Sequence, residues 1–131
     1  MGIVYIDTSV ALRTILDVPE RARLQAWMDV SDDVHVSSRL LQTETVRALR
    51  RDGRPVSDGA PMLSRVGLLD ITRQTHVLAE SFDRHVRTLD ALHLATALLI
   101  GEPVTVATHD RAMASMALDL GLRVIDPVED Y

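Results

Sequence analysis

The chain has 131 residues and no cysteine, so a single domain (residues 1–131) is expected, and neither a disulfide framework nor a thiolate metal site can form. Fourteen basic residues, all arginine, stand against 19 acidic ones for a net charge of −5. That balance argues against nucleic acid as a partner unless carboxylates gather around cations. No leader-like start and no apolar run long enough for a bilayer is visible, so a soluble, cytoplasmic protein without a membrane partner is expected.

In chain order, GIVYI (2–6) is a short apolar run of β type. A helix is expected from Ser9, and a second from about Pro19 through RARLQAWMDV. VHV (34–36) reads as a strand, after which Ser37 or Ser38 caps the helix SSRLLQTETVRALRR. DGRPVSDGAP (52–61) is rich in Gly and Pro and reads as a loop between helices. A short helix around MLSRV leads to a strand at LLDIT, then a helix at RQTHVLAESF. TLDALHLATALLIG (88–101) is a nearly apolar helix ended by Gly101. VTVAT is a strand, DRAMASMALDLG a helix with its own terminal Gly121, and RVID the last strand. Strands alternating with helices, and apolar throughout, predict a parallel sheet covered on both faces.

In such sheets the reactive crevice lies outside the carboxyl ends of the strands. Asp7 directly follows the first strand, and Asp110 follows VTVAT closely. Asp90 opens the apolar helix, and Glu44 lies early in the helix after VHV. Each acid alone has a bland explanation: a helix cap for Asp7, Asp90 and Asp110, an ion pair with Arg47 for Glu44. Together they mean more. Carboxylates about 4 Å apart repel by on the order of 4 kcal/mol at an effective dielectric near 20. Several in one crevice need protons or cations for relief. An oxygen-only ligand set, with no cysteine and no spaced histidine pair, favours Mg²⁺ or Mn²⁺ over zinc.

Four stretches then carry a family resemblance: YIDTSV, the TE of LLQTETVRAL, LDALHLATAL and VATHDRAM. In this order and length they resemble the PIN-domain family, and within it the small VapC-type toxin ribonucleases. The resemblance spans residue 3 to about residue 125. It implies a three-layer α/β/α sandwich with a central, mainly parallel sheet. It implies a toxin that cleaves RNA phosphodiester bonds as a Mg²⁺- or Mn²⁺-dependent endoribonuclease using metal-activated water. It also implies a homodimer and a cognate antitoxin protein that blocks the site. The family's acidic residues map to Asp7, Glu44, Asp90 and Asp110. Ser9 matches a hydroxyl supporting the first acid, and Thr108 one supporting the last. Asp7 and Asp90 are expected to be the closest ligands. Glu44 and Asp110 act through water or hold a second ion. Cleavage of this kind leaves 5′-phosphate and 3′-hydroxyl ends.

Other residues are open to two explanations. Arg47 and Arg51 share the helix face of Glu44 and either grip phosphate or form a solvated basic helix end. His93, at i+3 from Asp90, is expected to be a satisfied core histidine rather than a support for the acids. His109 is expected on a surface loop. Leu24, Trp27 and Met28 form an apolar stripe that is either core or a groove for a partner peptide. With Tyr5, Phe82 and Tyr131 as the other aromatic residues, base stacking is poorly supported. A receiver domain would require a lysine, and the chain has none. A haloacid-dehalogenase-type phosphatase would have Asp where Ser9 stands. The remaining alternative is a catalytically inactive PIN-like module that binds RNA or protein.

Overall fold

A computed structural model describes residues 1–129; Tyr131 lies outside the described residues. The strands are β1 (Ile3–Ile6), β2 (Val34–Ser38), β3 (Gly67–Leu69), β4 (Val104–Ala107) and β5 (Arg123–Ile125). The helices are α1 (Thr8–Ala11), α2 (Arg21–Val30), α3 (Leu40–Arg51), α4 (Ala60–Leu63), α5 (Arg73–Glu80), α6 (Thr88–Leu99) and α7 (Arg111–Asp119). Short 3₁₀ turns follow α1 and precede α4. All strands pair in parallel, in the order β3-β2-β1-β4-β5.

Alternation along β1 divides the interior. Val4 and Ile6 face a cluster with Leu24, Met28, Leu41 and Leu49 from α2 and α3. Tyr5 faces the opposite cluster, with Leu94 from α6 and Met113 and Met116 from α7. Two apolar layers on two faces of one sheet make the expected α/β/α sandwich. Helix α6 is buried from Ala91 through Ala97 because α5 packs on its outer side. A helix covered on all sides has no need of a polar face, hence its apolar sequence. Gly101, at φ +77°, ends it in the left-handed conformation that glycine adopts freely. Near α3, a Cβ on Gly59 would stand 2.9 Å from the Thr45 methyl, so only glycine lets the 3₁₀ turn close on that helix.

One local expectation shifts. The β2 strand runs on through Ser37 and Ser38, so neither opens α3 as its cap residue. Ser38 Oγ still accepts the Leu40 amide at 3.0 Å, and Ser37 donates to the Ile6 carbonyl at 2.8 Å. The apolar stripe of α2 is mainly core, with Leu24 and Met28 buried and Trp27 stacked on His35 at 5.6 Å. Among the described residues, no helix is long and apolar enough to cross a membrane.

The order of strands fixes where a site can form. From β1 the chain moves outward through β2 to β3, then crosses back to β4 and β5. The change of direction lies between β1 and β4, and side chains following those two strands share one rim.

Candidate active site: an acidic rim closed by an arginine

Asp7 leaves β1 with its amide still on the ladder, donating to the Ala107 carbonyl of β4 at 2.9 Å. This seats it in the opening between the two strands, 4 % exposed. It occupies the N-cap position of α1, yet its side chain does not cap that helix. Its Oδ2 instead accepts hydrogen bonds from Ser9 Oγ at 2.9 Å and Thr108 Oγ at 2.8 Å. Both hydroxyls are tied in turn: Ser9 Oγ accepts the His109 amide at 3.0 Å, and Thr108 Oγ accepts the Asp110 amide at 3.0 Å. Ser9 therefore donates directly to Asp7. Thr108 donates its proton to Asp7, and Asp110 reaches it only through the backbone.

Asp110 does cap its helix. Its Oδ1 accepts the Met113 amide at 2.9 Å. Its Oδ2 faces the rim and accepts from Arg87 at 2.9 Å. Asp90, in the first turn of α6, makes no cap bond. Its Oδ2 accepts from Arg87 Nε at 3.1 Å. One guanidinium thus joins Asp90 and Asp110. Burial pushes the Asp90 carboxyl above its ordinary range; Arg87 pulls it down, and Asp7 and Asp110 push it up again. The same three acids hold the Arg87 guanidinium more firmly protonated, Asp90 most of all. Asp7, Asp90 and Asp110 therefore share one electrostatic neighbourhood, with Arg87 as its cation.

Glu44, on α3, reaches across to α1 and α6. Arg47 is not its partner. Its Oε1 lies 2.8 Å from His93 Nε2 and accepts from Thr8 Oγ at 3.0 Å. His93 is 1 % exposed and touches Tyr5 Oη through Nδ1 at 2.6 Å. It is a core histidine, as expected, but it also supports an acid. His109 is half-buried, with Nδ1 2.9 Å from Asp126 Oδ2. Arg47 and Arg51 are exposed, and Arg51 turns to Asp52 at 3.1 Å. Arg54 is fixed between Asp58 and the Ile15 carbonyl.

Sequence reasoning missed Arg87, Thr8 and Tyr5. The i,i+3 spacing of Arg87 and Asp90 was a usable signal. The second bond, to Asp110, joins residues 23 apart and leaves no local trace.

As placed, no three His, Asp or Glu side chains among the described residues stand close enough to hold a metal ion together. The donor chemistry nevertheless suits a hard divalent ion. The donors are carboxylate and hydroxyl oxygens, and the positive charge they attract is already supplied by a stand-in, Arg87. That side chain is 76 % exposed. Solvent-exposed ion pairs are weak, so the guanidinium can leave for water when a denser charge arrives.

The PIN domain family profile matches residues 4–118. Ribonuclease VapC46 of Mycobacterium tuberculosis is 32 % identical over 130 residues, covering 97 % of this chain and 99 % of that protein. The crystal structure of Mycobacterium tuberculosis VapC20, described as a sarcin-ricin loop cleaving toxin, superposes with a TM-score of 0.70 at 14 % identity, over 86 % of this chain and 94 % of that one. VapBC-1 from nontypeable Haemophilus influenzae gives 0.69 at 15 % identity, over 97 % and 99 %.

Proposed function

Because the chain belongs to the PIN-domain family, we propose that it is a Mg²⁺- or Mn²⁺-dependent endoribonuclease acting as the toxin of a toxin–antitoxin pair. The observation that carries this reading is that Arg87 joins Asp90 and Asp110, at 3.1 and 2.9 Å, while Thr108, just before Asp110 on the same strand end, holds Asp7 at 2.8 Å. A ribonuclease relative that aligns over nearly the whole chain supports it.

When bound, the divalent ion would supply Lewis-acid chemistry, making a water a better nucleophile and offsetting charge that builds on the phosphate. Asp7 and Asp90 would hold it, with Asp110 and Glu44 acting directly or through water. The protein's own part is preorganisation. Ser9 and Thr108 donate into Asp7 Oδ2, so the carboxylate cannot rotate and Oδ1 is left for the rim. The cap bond of Asp110 fixes one oxygen and presents the other. Arg87, once released from the acids, is a cation at the rim suited to an RNA phosphate. Arg47 is exposed and has no ion pair among the described residues, which suits a phosphate contact on the helix that carries Glu44. An antitoxin protein would hold the toxin inactive, and a homodimer would be its working form.

Wild type and Asp90→Asn are to be expressed side by side and incubated with total cellular RNA. We expect growth arrest and cleavage from wild type only, 5′-phosphate and 3′-hydroxyl ends, and complete loss in EDTA. Ends bearing a 2′,3′-cyclic phosphate, activity that survives EDTA, or equal toxicity of both proteins would overturn the reading.

The arginine bridge favours a second reading, an inactive module whose acids are permanently neutralised. A Mn²⁺ titration with no binding by wild type would establish it.

A further inference from the structure

Among the described residues, Arg87 is the one cation paired with Asp90 or with Asp110. Its bonds leave from Nε and Nη2, which form a single edge of the guanidinium. Such an edge also grips a phosphate through two parallel bonds. The side chain therefore has one grip and two claimants. Its backbone is fixed, since the Arg87 carbonyl accepts the Ala91 amide at 2.9 Å at the start of α6. The side chain itself is mostly exposed, whereas those of Asp90 and Asp110 are 14 % and 25 % exposed. The acids are set in the wall of the rim, and the cation is the part able to swing. With Arg87 in place, no three His, Asp or Glu side chains among the described residues can hold an ion together.

We propose that Arg87 couples the binding of metal and RNA: it holds the acids in the free protein and an RNA phosphate once a divalent ion has taken the acids. The proposal rests on the reading of this rim as a metal-dependent ribonuclease site, and adds that its two ligands depend on each other. Two cations held by one pair of carboxylates repel at close range, so Arg87 and the ion compete for Asp90 and Asp110. Phosphate and the acids compete in turn for the guanidinium. RNA that draws Arg87 away removes the ion's competitor. An ion that displaces Arg87 returns a free cation to the RNA. Whatever factor RNA adds to metal affinity, metal adds to RNA affinity, because linkage is reciprocal. In the absence of RNA the bridge guards the rim, since loading must first break both of its bonds.

The test uses the full chain as wild type, Arg87→Gln, Arg87→Lys and Arg111→Gln, with Mn²⁺ and an RNA oligomer spanning a mapped cleavage site. Arg111 is exposed, adjoins Asp110 and has no ion pair among the described residues, so its loss removes a nearby charge and leaves the bridge whole. In calorimetry without RNA, Arg87→Gln should bind Mn²⁺ about 5-fold more tightly than wild type, the upper end for an exposed ion pair. Arg111→Gln should gain less than about 2-fold. Arg87→Lys keeps the charge but loses the fork, and should fall between wild type and Arg87→Gln. RNA binding is read by fluorescence anisotropy in EDTA and as KM in saturating Mn²⁺. Arg87→Gln should leave the affinity in EDTA unchanged and raise KM about 5-fold, because Arg87 reaches RNA only after metal has freed it. Unchanged Mn²⁺ affinity in Arg87→Gln, an equal loss of RNA affinity with and without metal, or the same behaviour in Arg111→Gln would overturn the coupling and leave the site reading intact. Absence of Mn²⁺ binding in both wild type and Arg87→Gln would instead overturn the site reading, and the coupling with it.

Discussion

Asp7 and Asp110 both stand at helix N-caps, and only Asp110 caps. Its two oxygens divide the work between the α7 amide and the rim, and substitutions can separate these roles. Asp110→Asn keeps a capping oxygen and should hold stability, whereas Asp110→Ala should lose about 1 kcal/mol in urea unfolding. Both remove the rim charge, so both should lose RNA cleavage. Equal stability of the two variants would contradict the cap. His35 offers a pH-dependent counterpart away from the site. It is buried against Trp27 with Nε2 unpaired, and burial holds its pKa below 6.5 despite Asp33. A base with a depressed folded-state pKa binds its proton more readily when unfolded. The protein should therefore lose stability as pH falls below about 6.5, toward the lower folded value. Urea unfolding followed by Trp27 fluorescence measures this, and in His35→Phe the acid-side loss should shrink. An identical pH profile in the variant would show that His35 is not its source.

At the scale of elements, helix α6 joins core to site. Its middle packs under the sheet while its first turn presents Asp90. Leu94 is fully buried there, and Leu94→Ala should cost about 2–5 kcal/mol by calorimetric or denaturant unfolding, as a large-to-small change in a packed core does. A cost below ~1 kcal/mol would mean that α6 is loosely packed. The main elements were legible because apolar runs, glycine stops and proline breaks are local signals. The acids at strand ends were legible for the same reason. Pairings across the chain were not. Arg87 bridges Asp90 to Asp110, and Glu44 turns to His93 rather than to Arg47, one turn away. Both choices are made by packing between helices distant in sequence. The extension of β2 through Ser37 and Ser38 was missed because serine is a common cap, and pairing with β3 overrides that preference.

Over the whole molecule, sheet order explains how distant residues meet. β1 and β4 are neighbours although a hundred residues separate them, so Asp7 and Thr108 come within 2.8 Å. The acids concentrate negative charge at the rim, and the net charge of −5 adds to it. Arg87 relieves it in the free protein, and under the proposed function a divalent ion would take its place. The most direct measurement is anomalous diffraction from crystals equilibrated with saturating Mn²⁺. We predict a manganese peak against Asp7 and Asp90, with Arg87 moved away from both of its carboxylates. A rim without manganese, with Arg87 still bridging Asp90 and Asp110, would contradict it.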